Sequence, residues 1–443
     1  EERGGGTDLI QRRELDAYVY RLNRHPGRRV DVAIAPAAGG DDTAELQYLV
    51  TENRPLTFYA QISNTGTEQT SELRERFGLT HSQLTNHDDI LFLEYITSNF
   101  EETHAVIGSY TRPLGERTSR LSARVFGSWS EFTASDVGLA EEEFTGESWR
   151  VGAELIFNAY QKDDFFVDAF VGFRWTEEQI SNEFLDIEGE EDFFLPRIGV
   201  RAARERETSY FDLEASYEFS LSGVTGVDSE QLTRLGRLNP DDDWQVLRVQ
   251  GQIGFFLEPL LKRREFLDLS DHRWSTLAHE VVLRGRAQYA FDNRLIPSEQ
   301  DVVGGLYSVR GYPESVAAGD SSVVGSLEYR LHVPRLFRPY GAQDRVPQVF
   351  GRPFRGRPQG VLGATDWDLV LKAFVDAGRV WNTDREVFEE DQTLVGYGVG
   401  AELRLWRNVT ARVDWGFVGD EIEGNDDAES GDSRVHFAVT VIF

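Results

Sequence analysis

The sequence predicts an all-β protein, a 16-stranded antiparallel transmembrane β-barrel preceded by a partial α/β domain. Three observations predict this fold class. From residue 55 to the C terminus, apolar and polar residues alternate in run after run, as in strands with a lipid-facing and a lumen-facing side. No stretch of 18 apolar residues without a charge occurs, which excludes helical membrane spans. The runs are even in number, as closure of an antiparallel barrel requires.

The composition narrows the function classes. The 443 residues include 76 acidic and 46 basic ones, and the net charge of −30 argues against a nucleic-acid-binding protein. Cysteine is absent, which excludes disulfides, thiolate metal sites and thiol nucleophiles. The mean hydropathy is negative, which a barrel also produces because every second strand residue faces a polar lumen. No signal peptide is visible before Glu1, so we expect a mature or trimmed product.

Residues 1–54 are expected to form the C-terminal part of a small α/β domain. A helix is predicted over 11–24, where apolar residues recur at helical spacing and His25-Pro26-Gly27 ends the run. The apolar face consists of Leu15, Tyr18, Val19 and Leu22. Alternating runs at 29–37 and 43–52, separated by Gly39-Gly40, predict a hairpin. A helix and one hairpin bury too little core for independent stability, so part of this domain is expected to be missing.

Residues 55–443 are expected to form the barrel. The last run is the clearest case, with one apolar face formed by Val435, Phe437, Val439, Val441 and Phe443. The 16 candidate strands begin near residues 56, 72, 89, 104, 119, 148, 164, 193, 207, 244, 279, 321, 367, 393, 409 and 433. With no second apolar layer to pack against, so many strands favour lipid outside and a polar lumen inside.

Charge is sorted between the predicted connections. Acidic clusters occupy 177–192, 419–432 and the group Glu141, Glu142, Glu143 and Glu147, and each follows an odd-numbered strand. Basic runs at 260–265 and 334–358 follow even-numbered strands. If the first strand leaves the periplasm, the acidic connections lie outside the cell and the basic ones in the periplasm.

Two short motifs stand out in the predicted barrel. The long connection after strand 11 contains Val309-Arg310-Gly311-Tyr312, followed by Gly319-Asp320. On strand 13, period two turns Phe374, Asp376 and Gly378 toward the lumen and Ala373, Val375 and Ala377 toward lipid. A guanidinium forks onto a carboxylate through two parallel hydrogen bonds, a geometry that lysine lacks. Gly378 is expected to clear room beside the carboxylate. The alternative is a surface loop with an ordinary arginine and an ordinary inward aspartate.

Together these motifs resemble the superfamily that joins periplasmic POTRA repeats to a 16-stranded barrel. The resemblance covers essentially the whole chain and implies a partial POTRA domain at 1–54 and a lumen-inserting loop at 294–320. It also implies that Arg310 meets an acidic residue of the inner wall. Tyr312 and the Gly-Asp pair favour the two-partner-secretion translocators over the insertases of that superfamily. Phe443, at the end of the last strand, resembles the targeting signal that the barrel-assembly machinery reads; a chance aromatic is the alternative.

The resemblance implies a bacterial outer-membrane translocator that secretes an unfolded partner exoprotein through its lumen without nucleotide hydrolysis. Its partners would be the exoprotein, the barrel-assembly machinery and outer-membrane lipid, with no nucleic acid and no cofactor. Two alternatives stay open: an outer-membrane insertase of the same superfamily, and a passive porin-like barrel. Segment 334–365 is longer than a usual periplasmic turn and is unexplained by the resemblance.

Enzymatic function is not expected. G-x-S-x-G, P-loop and H-E-x-x-H motifs are absent from the sequence, so no catalytic or metal site is predicted. His279, His332 and His436 fall on strands; the last two should point into the lumen, where a structural hydrogen bond is expected rather than hydrolytic chemistry. The acidic connections lack the D-x-D-x-D-G spacing of a dedicated calcium site, and loosely shared divalent ions are the simpler expectation.

Overall fold

A computed structural model describes residues 11–36, 44–115, 119–137, 142–182, 187–268, 277–341, 344–349, 351–359, 363–406, 408–422, 425 and 427–443. The N-terminal part contains helix α1 (Arg12–Leu22) and an antiparallel hairpin of β1 (Arg28–Pro36) and β2 (Ala44–Glu52). Helix and hairpin match the predicted order, while Gly39-Gly40 lies outside the described residues. No described helix is long and apolar enough to cross a membrane.

The apolar face of α1 is only partly covered. Leu15, Val19 and Leu22 are half-buried, whereas Tyr18 is exposed and makes an edge contact with Tyr48 of β2. The helix therefore buries little of its own apolar surface.

Sixteen strands close into one antiparallel barrel, which confirms the predicted number and closure. In chain order the strands after β2 are β3 (Leu56–Ser63), β4 (Arg74–His81), β5 (Ile90–Ser98), β6 (Thr103–Pro113), β7 (Leu121–Val137), β8 (Glu142–Lys162), β9 (Phe165–Asn182), β10 (Ile187–Arg206), β11 (Ser209–Phe219), β12 (Gln245–Phe256), β13 (His279–Tyr289), β14 (Asp301–Val303), β15 (Ala317–Gly319), β16 (Ser321–His332), β17 (Gln348–Val349), β18 (Arg352–Pro353), β19 (Trp367–Trp381), β20 (Gln392–Leu405), β21 (Val409–Val418) and β22 (Ser433–Ile442). The pairs β14–β15 and β17–β18 are short hairpins within connections and do not belong to the barrel.

Four short helices also lie in connections. They are α2 (Ser222–Thr225), α3 (Ser229–Leu232), α4 (Glu258–Leu261) and α5 (Arg263–Leu267). The first two belong to the connection between β11 and β12, whose Leu232, Leu235 and Trp244 pack with Leu295 and Ile296 in one buried cluster. The sequence patterns did not predict these helices.

Alternate residues of the strands face the lumen and the outside of the barrel, as expected. Along β19, Ala373, Val375 and Ala377 are exposed, while the alternate residues Phe374 and Asp376 are buried. The outer face is rich in exposed large apolar side chains, for example Val171 at 54% and Val399 at 53%. Such a face matches a barrel that is surrounded by lipid.

The expected loop position of two acidic clusters is wrong for the described residues. β8 begins at Glu142 and β10 at Ile187, earlier than the predicted starts near 148 and 193. Residues of 177–192 are paired across the β9–β10 hairpin, for example Glu190 with Gln179. Strand pairing continues beyond the point where outward residues turn polar, because backbone hydrogen bonds do not require an apolar face. The described acidic residues of the β9–β10 hairpin, such as Glu178 and Glu190, therefore lie on strands.

The barrel closes through its shortest seam. β22 and β3 pair over Ala438–Ile442 and Tyr59–Ser63 only, and Phe443 N–H donates to the Phe58 carbonyl at 2.8 Å. The N-terminal part lies at the end of the barrel where β4, β12 and β16 finish, since Arg28 binds Asp88 of the β4–β5 connection at 2.9 Å. The described residues of the basic runs 260–265 and 334–358 share that end, and those of 419–432 lie at the opposite end.

Candidate functional site

The connection from β13 to β16 folds back into the barrel. Val303, Val309 and Tyr312 of this connection are fully buried and pack against inward-facing residues of the wall. The wall residues of this cluster include Val324, Val380, Leu394 and Val418. We call residues 294–320 the lumen loop; it covers the inner side of β16 and β19–β21.

Arg310 meets Asp376 at the centre of the lumen loop. Its Nε donates to Asp376 Oδ2 at 2.7 Å, and its second terminal nitrogen donates to Oδ1 at 2.9 Å, which is a forked geometry. The backbone N–H of Arg310 donates to the same carboxylate at 3.1 Å. Arg310 is 2% exposed and Asp376 is fully buried, so both charges have been withdrawn from water. Charge-assisted, two-pronged bonds of this kind fix position as well as contribute energy.

Arg310 has further acidic partners that the sequence motifs did not single out. Its remaining terminal nitrogen lies 2.7 Å from Glu328 of β16 and 3.2 Å from Asp414 of β21. Both carboxylates have other cationic partners, Arg330 for Glu328, and Lys372 and Arg412 for Asp414. The arginine therefore joins three wall strands to the loop. The alternation of strand residues identifies Glu328 and Asp414 as inward-facing acids. This alternation is the sequence signal from which they could have been proposed as partners of Arg310.

Phe374 and several glycines shape the space around the arginine. The Arg310 guanidinium lies 3.4 Å from the centroid of the Phe374 ring, a cation–π contact. Gly311 has a φ of +104°, which favours glycine, and a side chain there would meet the Phe417 backbone. Gly378 was expected to clear room beside the carboxylate. A Cβ there would instead lie 3.0 Å from Val309, so this glycine makes room for the loop valine.

Two more glycines admit the loop backbone. A Cβ at Gly396 of β20 would lie 2.0 Å from the Arg310 carbonyl, and one at Gly416 of β21 would lie 2.5 Å from the Gly311 nitrogen. The inward-facing glycines Gly396, Gly398 and Gly400 form a visible pattern in the sequence. The pattern alone does not show that the loop backbone approaches the wall at these positions.

Tyr312 fastens the loop to a neighbouring part of the wall. The side chain is fully buried, its hydroxyl donates to the backbone carbonyl of Asp420, and it accepts from the Val395 N–H at 3.1 Å. The tyrosine therefore holds the end of β21 and the start of β20 together with the loop.

His436 and Glu314 form a small polar group behind Gly311. His436 Nε2 accepts from the Gly311 N–H at 3.2 Å, and the ring is fully buried. Glu314 lies 3.9 Å from its other ring nitrogen and accepts from the Leu306 N–H at 2.6 Å. Burial raises the pKa of the Glu314 carboxyl to about 7. His332 also faces inward, between Asp368 at 2.7 Å and Glu280 at 3.2 Å.

The ends of the lumen loop are tied to other strands. Glu299 accepts from Arg174 of β9 at 2.9 Å and from Arg248 of β12 at 2.7 Å. Burial alone would raise the pKa of Glu299, but these arginines hold it well below its usual range. Asp320 accepts from Arg237 and from the Leu295 N–H at 3.0 Å. The loop is therefore fastened along its whole length, from Glu299 through Arg310 and Tyr312 to Asp320.

An open cavity remains on the other side of the lumen loop. Its volume is about 730 Å³, and it is lined by the loop and by inward residues of β10–β13, including Gln252, Arg284 and Arg286. Charged side chains of both signs line it, among them Asp212, Glu214 and Arg412, so it can hold water or an extended polar chain. Within the described parts of the chain, no acidic or histidine cluster could hold a metal ion.

Phe443 lies at the seam, away from the lumen loop. Its side chain is 75% exposed, and its backbone extends the β22–β3 ladder by pairing with Phe58. Among the remaining histidines, His279 bonds the Tyr329 hydroxyl at 2.6 Å and is not part of the site.

Comparison with known proteins shows the fold. No family model and no curated protein matches the sequence. CdiB from Escherichia coli matches with a TM-score of 0.70 and 15% identity, over 96% of this chain and 69% of that chain. CdiB from Acinetobacter baumannii matches with a TM-score of 0.64 and 15% identity, over 96% and 67%. BamA from Haemophilus ducreyi lacking POTRA domains 1–3 matches with a TM-score of 0.54 and 13% identity, over 96% and 77%. The likeness shows that the chain shares its barrel fold with CdiB and BamA.

Proposed function

We propose that this chain is an outer-membrane translocator that secretes an unfolded partner exoprotein through its lumen. The observation that carries the proposal is the buried contact of Arg310 with Asp376, Glu328 and Asp414, which fastens a loop inside a closed barrel. A passive pore has no need of a loop with so specific an attachment. The likeness to the two CdiB proteins, which are two-partner-secretion translocators, supports the same function.

The lumen loop divides the proposed path. In the resting barrel it fills the side formed by β16 and β19–β21, and the cavity beside β10–β13 stays open to solvent. A client in transit needs only extended-chain width, so a shift of the loop would widen this cavity into a pore. Charged side chains of both signs on the cavity wall would provide polar surroundings for the backbone of an unfolded chain. No step requires nucleotide hydrolysis.

The N-terminal part is proposed to be the end of a periplasmic POTRA domain. Strand β2 is exposed along nearly its whole length, with Leu49 at 58% and Val50 at 54%. An exposed edge of this kind pairs with an extended segment through backbone hydrogen bonds. The end of the barrel beside this domain would then face the periplasm, and the acidic connection 419–432 would face outward. Phe443 would serve the barrel-assembly machinery during biogenesis.

The second candidate is an insertase, favoured by the short seam. β22 and β3 pair over five residues, Ala438–Ile442 with Tyr59–Ser63, whereas β9 and β10 pair over most of their length. BamA, which shares the fold, is an insertase. A weak seam would open laterally into the membrane and release a barrel protein there. A porin-like barrel is the third reading, and it predicts a steady conductance that barely changes when the lumen loop is removed.

The proposal is tested by comparing the proteins that cells secrete with and without this chain. We expect a large protein to disappear from the medium and to accumulate in the periplasm when the chain is missing. Complementation by the Arg310→Ala variant should fail although its barrel reaches the membrane. An unchanged set of secreted proteins together with depleted outer-membrane barrels would point to the insertase.

A further inference from the structure

The connection between β16 and β19 is rich in arginine. Residues 334–358 contain six arginines and one aspartate in a chain whose net charge is −30. We call the described residues of 334–359 the basic rim segment. It adjoins the connection that contains α4 and α5, since the Arg335 guanidinium donates to the Leu277 carbonyl at 3.4 Å.

The basic rim segment is folded by its own contacts. Arg357 lies 4.3 Å from the Tyr340 ring centroid, pairs with Asp344 at 3.2 Å and donates to the Arg338 carbonyl. Arg355 pairs with Asp366 at the start of β19. These two arginines are therefore used internally, and their contacts hold the rest of the segment in place.

Three other arginines of the segment point into solvent. Arg338, Arg345 and Arg352 are exposed, and none has a side-chain hydrogen bond or ion pair with a described residue. Exposed apolar side chains accompany them, with Leu336 at 53%, Phe337 at 49% and Val349 at 37%. The neighbouring α4–α5 connection also combines exposed apolar and basic side chains, with Leu260 and Leu261 beside Arg263 and Arg264. Cations without partners next to exposed leucine and phenylalanine are typical of a surface that lies in a lipid headgroup layer.

The segment lies on the outer side of the rim. Trp367 belongs to the outward-facing row of β19, with Leu371 and Val375, and its indole N–H donates to the Gly356 carbonyl at 2.9 Å. Phe354 packs edge-on against Trp406, whose side chain is half exposed at the tip of the β20–β21 connection. Aromatic side chains in this position are characteristic of a membrane interface. A client inside the lumen would not meet this face.

We propose that the basic rim segment binds the anionic phospholipid headgroups of the leaflet at this end of the barrel. The proposal rests on the membrane location proposed above. Arg338, Arg345 and Arg352 would contact lipid phosphates, while Leu336 and Phe337 enter the boundary between headgroups and chains. Unlike a short turn, the segment would hold a patch of anionic lipid beside β16 and β19, the strands that carry Glu328 and Asp376, two of the three acidic partners of Arg310.

The test measures lipid association with the full-length barrel in phosphatidylcholine bilayers. Spin-labelled phosphatidylglycerol and spin-labelled phosphatidylcholine are added in turn, and the motionally restricted fraction gives their association constants with the protein. We expect a preference for phosphatidylglycerol that falls as salt is raised. The variant Arg338→Gln/Arg345→Gln/Arg352→Gln should lose it. A cationic side chain near an anionic surface contributes roughly a five-fold change, so averaging over the annulus predicts a fall of at least about two-fold.

Two controls separate charge at this site from charge in general. Arg338→Lys/Arg345→Lys/Arg352→Lys keeps the charges and should keep the preference. Arg12→Gln/Arg13→Gln/Arg29→Gln removes the same charge from exposed positions of the N-terminal part and should also keep it.

Three results would overturn the inference. One is an equal preference in the wild-type protein and the glutamine variant of the rim. Another is unchanged lipid association together with weakened binding of polyglutamate, which would identify an acidic chain as the occupant. The third is the absence of any restricted lipid, which would contradict the membrane location as well. Failed export of the exoprotein with lipid preference intact would overturn the translocator proposal alone.

Discussion

Replacing Arg310 with alanine is predicted to release the lumen loop without unfolding the barrel. The substitution leaves the carboxylates of Asp376, Glu328 and Asp414 buried without the guanidinium that now binds all three. Removing one partner of a buried pair typically costs about 3–5 kcal/mol. Glu328 keeps Arg330 and Asp414 keeps two other cations, so the uncompensated charge is chiefly that of Asp376. We therefore expect a loss near the lower limit, about 3 kcal/mol, in the free energy of unfolding.

A double-mutant cycle in detergent tests this reasoning. Denaturant titrations of the wild type, Arg310→Ala, Asp376→Ala and the double variant give the coupling free energy between the two residues. Asp376→Ala should cost less than Arg310→Ala, and the two should not add, since both remove one contact. Both should stay folded and heat-resistant but export the client poorly. Arg284→Ala is the matched control for stability, because this lumen arginine has no ion pair with a described residue and its removal should change the free energy of unfolding little.

Additive losses, within about 0.5 kcal/mol, would refute the contact. Normal export by either Arg310→Ala or Asp376→Ala would refute its role in secretion while leaving the contact in place.

Three other predictions concern pH, biogenesis and topology. The raised pKa of Glu314, about 7 against an ordinary 4.5, means that its stabilising effect is complete below pH 4.5 and is lost as pH rises through 7. The stability difference between wild type and Glu314→Gln should fall over that range; a constant difference would contradict it. Phe443→Ala keeps the backbone bonds to Phe58 yet should lower the amount of assembled barrel, and normal outer-membrane levels would make the aromatic incidental. An epitope near Asn425 should be reached by antibody on intact cells, whereas one near Gly356 should require permeabilised cells; labelling of both on the same side would contradict the topology.

The barrel was predictable because period two is a local signal. Most predicted strand starts lie close to the observed ones, and the inward face of β19 follows from alternation alone. The starts of β8 and β10 were missed because their first residues are acidic and lack an apolar face. Helices α2 and α3 were missed because helices of four residues show no periodic pattern. Leu232 of α3 packs with Leu295 and Ile296, whereas α2 buries no residue of its own.

The candidate site was predictable only in part. Arg310 and Asp376 could be paired from two motifs, but Glu328 and Asp414 join them only because strand register brings β16, β19 and β21 around one point. The need for glycine at 396 depends on the path of the loop backbone, which the sequence does not display. The sequence shows which side chains face inward. Which of them meet across the lumen can be seen only in the structure of the closed barrel.

Passage of the client through the lumen is the central claim, and site-specific photo-crosslinking tests it most directly. Gln252 and Arg284 are paired inward-facing residues of β12 and β13 that line the open cavity. Leu283, beside them, is exposed on the outer face. A photo-reactive residue at 284 should capture the exoprotein during export, and one at 283 should not. Capture at 283, or at Ile62 of the seam, with none at 284 would contradict passage through the lumen.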